Sequence, residues 1–120
     1  SSELQVIRVI QKHEDDTMIR HLVFLKYRNS VSQDTKDGIL RDLEALKTEV
    51  SGFINFGSGS NISPENDVVR GFLDMFWIDF EDISARDAYL SNETHKGIAA
   101  RINAATEEGI DGVFVCDVAV

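Results

Sequence analysis

Residues 18–28 (MIRHLVFLKYR) alternate in two sets, Ile19, His21, Val23, Leu25 and Tyr27 against Arg20, Leu22, Phe24, Lys26 and Arg28. Successive side chains of a strand point to opposite faces, so a first strand is expected over 19–28. The period then changes. Ile39, Leu43, Leu46 and Val50 recur at helical spacing, after Ser32 as N-cap with Asp34 in the first turn, and Gly52 ends the helix. A second strand is expected over 53–61 (FINFGSGSN), then a loop (ISPENDVVR) holding the single proline, Pro64. A third strand over 71–80 (GFLDMFWIDF) places Phe72, Asp74, Phe76, Ile78 and Phe80 on one face and Leu73, Met75, Trp77 and Asp79 on the other. Helical signals resume at Ser84 as N-cap, run through Tyr89, break at SNET, and return with Ile98, Ala99, Ile102 and Ala105. GVFVCDVAV closes the chain as a last strand.

The order β-α-β-β-α-β predicts an α+β, ferredoxin-like fold: a four-stranded antiparallel sheet with two helices on one face. Residues 1–17 are set apart as an N-terminal extension with one candidate strand at 4–10, and 18–120 form the domain. The first and third strands are expected as central neighbours running in the same direction, which places His21 and Asp74 at the same end on the helix-facing side. Two helices cover one face only. Leu22, Phe24, Leu73, Met75 and Trp77 on the second face form an apolar patch larger than soluble monomers usually expose. Packing against a second copy covers it, so a homodimer closing into a β-barrel is expected; the alternative cover is the N-terminal extension.

A net charge of −9 and the absence of basic clusters argue against nucleic acid and anionic membrane surfaces as partners. Cys116 is the single cysteine, so no internal disulfide forms, and a cytoplasmic location is expected. GSGSN holds a G-x-G but precedes no helix, which leaves it without the helix terminus a phosphate cradle needs.

The ordered series MIRHLVFLKYR, GSNISPE, RGFLDMFWIDFED, AYLSNETHKG and VCDV resembles the stress-responsive A/B barrel (Dabb) domain family, dimeric α+β barrels, over residues 18–118. The resemblance implies a homodimer and a pocket between the sheet and its own helices. The family includes a plant olivetolic acid cyclase and a hydroxynitrile lyase, which implies a small hydrophobic or polyketide-like ligand. In the cyclase two strand histidines, a tyrosine and a further histidine serve the chemistry. His21, Tyr89 and His95 match three of these positions, while Asp74 stands where the third strand of the cyclase carries a histidine.

His21, Asp74, Tyr89 and His95 are thus the candidate catalytic residues, with Val23, Leu25, Leu43, Leu46 and Phe76 lining the ligand space. An imidazole titrates near neutral pH and takes protons, a carboxylate orients it, and a phenol donates to a developing oxyanion. Each residue also has a structural reading: His21 bonded to a carbonyl, Asp74 in an ion pair, Tyr89 in the core, His95 near a helix cap. His21, Asp74 and His95 also match a two-His-one-carboxylate metal set, but they lack ligand spacing, so neither metal nor cofactor is expected. Two functional classes remain open, an acid–base enzyme of lyase or cyclase type and a non-catalytic binding or structural dimer module.

Overall fold

The computed structural model describes residues 17–120, so the candidate strand at 4–10 lies outside the described residues. Strand β1 (Ile19–Leu25) leads to helix α1 (Gln33–Ala45), then β2 (Phe53–Ser60), a short helix α2 (Asn66–Val69), β3 (Asp74–Phe80), helices α3 (Ile83–Ser91) and α4 (Glu93–Ala105), and β4 (Val113–Ala119). The sheet order is β2-β3-β1-β4, and every neighbouring pair is antiparallel. This is the ferredoxin-like α+β plan.

Local chemistry accounts for most boundaries. Ser32 caps α1 by accepting from the Thr35 amide at 3.1 Å. The stripe Ile39, Leu43, Leu46 and Val50 is buried, although only its first half is α-helical; Leu46–Thr48 tightens into a 3-10 turn. Gly52 adopts φ +87°, and a Cβ there would lie 2.6 Å from the Ala85 Cβ, so glycine is required where the chain turns into β2. The cap of α3 is Asp82 rather than Ser84: its Oδ1 accepts from the Ala85 amide at 2.8 Å, and Ser84 falls inside the helix. Asn92 stops α3 and caps α4 through the His95 amide at 2.8 Å. The first strand is shorter than the alternation suggests, with Tyr27 making one isolated bridge to Thr106. Part of the ISPENDVVR segment is helical.

The relative direction of the first and third strands is corrected as well. β1 and β3 run antiparallel, pairing Leu25 with Asp74 and His21 with Ile78. The physical reason is the connectivity: α1 carries the chain back across the sheet, so β2 runs in the same sense as β1. β3 then reverses from β2 and enters between the two, antiparallel to both. Asp74 and His21 share the helix-facing side but sit at opposite ends.

That side holds the core. Ile19, Val23, Leu25, Phe53, Phe76, Ile78 and Phe80 from the sheet meet Ile39, Leu43, Tyr89, Ile98 and Ile102 from the helices, all buried. On the opposite face lie Leu22, Phe24, Met75 and Trp77, partly covered, and from β4 Phe114, Cys116 and Val118. Phe114 is 55 % exposed and its ring lies 5.8 Å from that of Phe24. Arg20 borders this face, holding Asp79 bidentately at 2.8 and 3.2 Å. Leu73, expected here, lies outside the strand and is 56 % exposed. Among the described residues no helix is long and apolar enough to cross a membrane.

Candidate active site

The first and last strands place the first member of the site. His21 and Asp117 are paired across β1 and β4, and His21 Nδ1 lies 2.6 Å from Asp117 Oδ1. The other carboxylate oxygen accepts from Arg86 Nη1 of α3 at 2.9 Å. Burial opposes the charge on Asp117, but the hydrogen bonds from Arg86 and His21 outweigh it and hold its carboxyl below the usual carboxylate range. With the carboxylate ionised, Nδ1 carries a proton and donates to it. A neutral His21 then has Nε2 as its acceptor.

Helices α3 and α4 supply the rest. Tyr89 is fully buried, and its ring meets the His21 ring edge-on at 5.6 Å. Burial pushes the Tyr89 phenol well above its usual range, which keeps it a neutral donor. The break at Asn92 turns α4 so that His95 comes over Tyr89, with ring centroids 4.0 Å apart. Burial lowers the His95 pKa, the nearby His21 lowers it further, and the Leu90 carbonyl offsets part of this. His95 is therefore neutral at pH 7. Its Nδ1 is buried with no hydrogen-bond partner among the described residues, a costly arrangement for a polar atom.

The structure thus brings His21, Tyr89 and His95 together and leaves Asp74 out. Asp74 lies at the far end of β3, 3.5 Å from Lys36 Nζ, beside a cleft between α1 and the ends of the central strands. Leu25 lines that cleft, while Val23, Leu43, Leu46 and Phe76 are packed within the core. The combination of His21, Asp74 and His95 weighed as a metal set is not assembled. Among the described residues no group of His, Cys, Asp and Glu side chains converges as ligands. Sequence reasoning missed Asp117 and Arg86. The available signal was parity: Asp117 alternates with Val113 and Val115 and so points to the helix side, where a carboxylate needs a partner.

The sequence model of the stress-responsive A/B barrel domain matches residues 19–120. The chain belongs to this family. Among solved structures, a dimeric ferredoxin-like protein of unknown function from Jannaschia sp. is similar, with 29% identity and a TM-score of 0.77, covering 86% of this chain and 99% of that one. The hydroxynitrile lyase from Passiflora edulis shares the fold at 19% identity and a TM-score of 0.73, covering 88% and 94%. A Dabb protein from Mesorhizobium loti does so at 21% and 0.65, covering 85% and 95%. No curated protein matches the sequence.

Proposed function

We propose that this A/B barrel chain pairs into a homodimer through its second sheet face and binds a small hydrophobic hydroxy or carbonyl compound against His21, Tyr89 and His95. On that compound it performs acid–base chemistry of the lyase or cyclase type. The observation that carries this reading is the buried, unpartnered Nδ1 of His95 beside a neutral phenol. A fold that leaves such an atom unsatisfied pays about 1–3 kcal/mol, a cost a ligand removes.

The residues divide the work by protonation state. Neutral His95 takes a proton from the substrate hydroxyl. Asp117 and Arg86 hold His21 in the tautomer whose Nε2 faces away from the carboxylate, as the carboxylate of a catalytic triad does. Tyr89 donates to the oxygen as it gains charge. The Passiflora relative is a hydroxynitrile lyase, so an α-hydroxynitrile is the first substrate to test. The hydroxyl proton passes to His95 and the oxygen's electron pair forms the C=O bond. As it forms, the C–C bond to the nitrile breaks, and cyanide leaves with the electron pair of that broken bond and takes up the proton from the imidazolium. The dimer is supported by the apolar second face and by the dimeric Jannaschia relative.

The test is release of benzaldehyde from mandelonitrile by the protein, by His95→Gln and by His21→Gln. Turnover lost in both variants supports the proposal; turnover unchanged in both contradicts it. A second reading, a non-catalytic ligand-binding or structural dimer module, is favoured by the close packing of Val23, Leu43, Leu46 and Phe76, which restricts the space beside the histidines. It predicts binding of benzaldehyde without turnover, or no binding.

A further inference from the structure

The helix-facing side of the sheet has a second end, and its chemistry differs from that around His21. β1 rises about 3.3 Å per residue, so His21 and Leu25 stand about 13 Å apart. Between them Val23, Phe76, Leu43 and Leu46 are packed and buried, which separates the two ends. At the Leu25 end a cleft of about 200 Å³ opens between α1 and the ends of β1, β2 and β3. Leu25 and Leu40 give it apolar walls; Tyr27, Lys36, Asp74, Ser58 and Ser60 give it polar groups, and a second carboxylate, Asp37, also lines it and accepts from Gln33 Nε2 at 2.9 Å.

Tyr27 is the decisive residue. It is 9% exposed, it lines the cleft, and its hydroxyl has no hydrogen-bond partner among the described residues. Burial and the neighbouring Asp74 push its pKa up to about 12, so the phenol stays protonated. Lys36 Nζ lies over the Tyr27 ring, 5.1 Å from its centre, and 3.5 Å from Asp74 Oδ2. That separation exceeds the 2.7–2.9 Å of a close charge-assisted hydrogen bond. The cleft therefore brings together an ammonium, two carboxylates and an unused phenol, with Lys36 and Asp74 partly exposed.

We propose that this cleft is a binding site for a small molecule of zero net charge that carries a hydrogen-bond acceptor and a donor close together. Its acceptor meets the Tyr27 hydroxyl and Lys36, and its donor meets Asp74. A simple anion would be drawn to Lys36 but repelled by Asp74 and Asp37; a simple cation would be repelled by Lys36 and would offer the Tyr27 hydroxyl no acceptor, so neither satisfies the whole set. A neutral polyol and an amino-acid zwitterion share the required chemistry. This site is independent of the reaction proposed at His95.

The test is a titration of the intact, isotopically labelled protein with glycerol, L-serine, acetate and ethylammonium, read at the backbone amides of Ser58, Ser60 and Asp74. Saturable shifts with glycerol identify a polyol site and with serine a zwitterion site, and either supports the proposal. Acetate should leave these amides unmoved, and ethylammonium, which offers the Tyr27 hydroxyl no acceptor, should shift them less than glycerol or serine does and equally in Tyr27→Phe. Tyr27→Phe should weaken the binding about tenfold, the loss of one hydrogen bond to the ligand, and His21→Gln should leave it unchanged. Tyr27→Phe removes an unsatisfied hydroxyl, so the variant should unfold no earlier than the parent. No shift with glycerol or serine, equal response to all four probes, or wild-type binding by Tyr27→Phe would overturn the assignment.

Discussion

His21 and Asp117, 96 residues apart in the chain, meet at 2.6 Å across the two strands that join the ends of the domain. Each fixes the other: the carboxylate sets the imidazole tautomer, and the imidazole N–H helps keep the carboxylate ionised. Asp117→Asn removes the ionic half of this pair and leaves Arg86 without its partner on β4. The expected result is a changed tautomer balance of His21, seen in the nitrogen shifts of the ring. The expected loss of stability is about 1 kcal/mol, at the low end for a charged hydrogen bond because the Asp117 side chain is a quarter exposed. A His21 ring with unchanged nitrogen shifts would show that the carboxylate does not set its proton.

Acid should destabilise the fold in two stages. The His95 pKa is lowered in the folded state, first by burial, so the unfolded chain binds the proton more readily. Stability therefore falls as pH drops below the ordinary value of 6.5 and levels off beneath the folded pKa. Asp117 is lowered as well, the bonds from Arg86 and His21 outweighing burial. Its contribution is present above 3.8 and is lost as pH falls through its folded value. Thermal unfolding of the parent and of His95→Gln from pH 8 to pH 3 checks this. The variant should lose the upper stage and keep the lower one.

Much of the fold was legible in the chain, because the change of period from two to 3.6 and back marks each strand and every helix but the short α2. Ser32, the apolar stripe from Ile39 to Val50 and the break at Asn92 are all local signals, and the structure places them as the sequence suggests. The direction of β3 was a non-local matter, settled by how β2 and β3 reverse rather than by any residue in them. That single point moved Asp74 from beside His21 to the Lys36 cleft. Asp117 was overlooked because its neighbours Val115, Cys116 and Val118 read as an apolar strand, and only the pairing of β1 with β4 shows what it faces. Asp82 and Ser84 are both competent caps; the side chain that reaches the Ala85 amide decides between them.

Trp77 reports on the second sheet face, since it is the single tryptophan in the chain. Its ring lies over Gly57, where a Cβ would stand 2.1 Å from Trp77 Cζ2. Gly57→Ala must displace the indole, and a dimer built on this face should weaken with it. The emission of Trp77 should shift to the red in the variant, and equilibrium sedimentation should show a larger dissociation constant. A dimer of parental strength would place the interface elsewhere.

Phe24→Asp puts a charge at the centre of the same face, beside Phe114. A carboxylate buried without a partner in an interface costs several kcal/mol, so the variant should sediment as a folded monomer at micromolar concentration where the proposal expects the parent to be a dimer. A parent chain that is itself monomeric there would remove the basis for the barrel.

The proposed function rests on His21, Tyr89 and His95 acting as one ligand site, and a titration of the ring nitrogens of the two histidines with benzaldehyde tests this most directly. Binding between them should move the His21 and His95 resonances together with one dissociation constant, should fail in Tyr89→Phe, and should leave the Ser60 and Asp74 amides at the far cleft unmoved. Histidine resonances that stay fixed at saturating benzaldehyde, while mandelonitrile is also left intact, would contradict it.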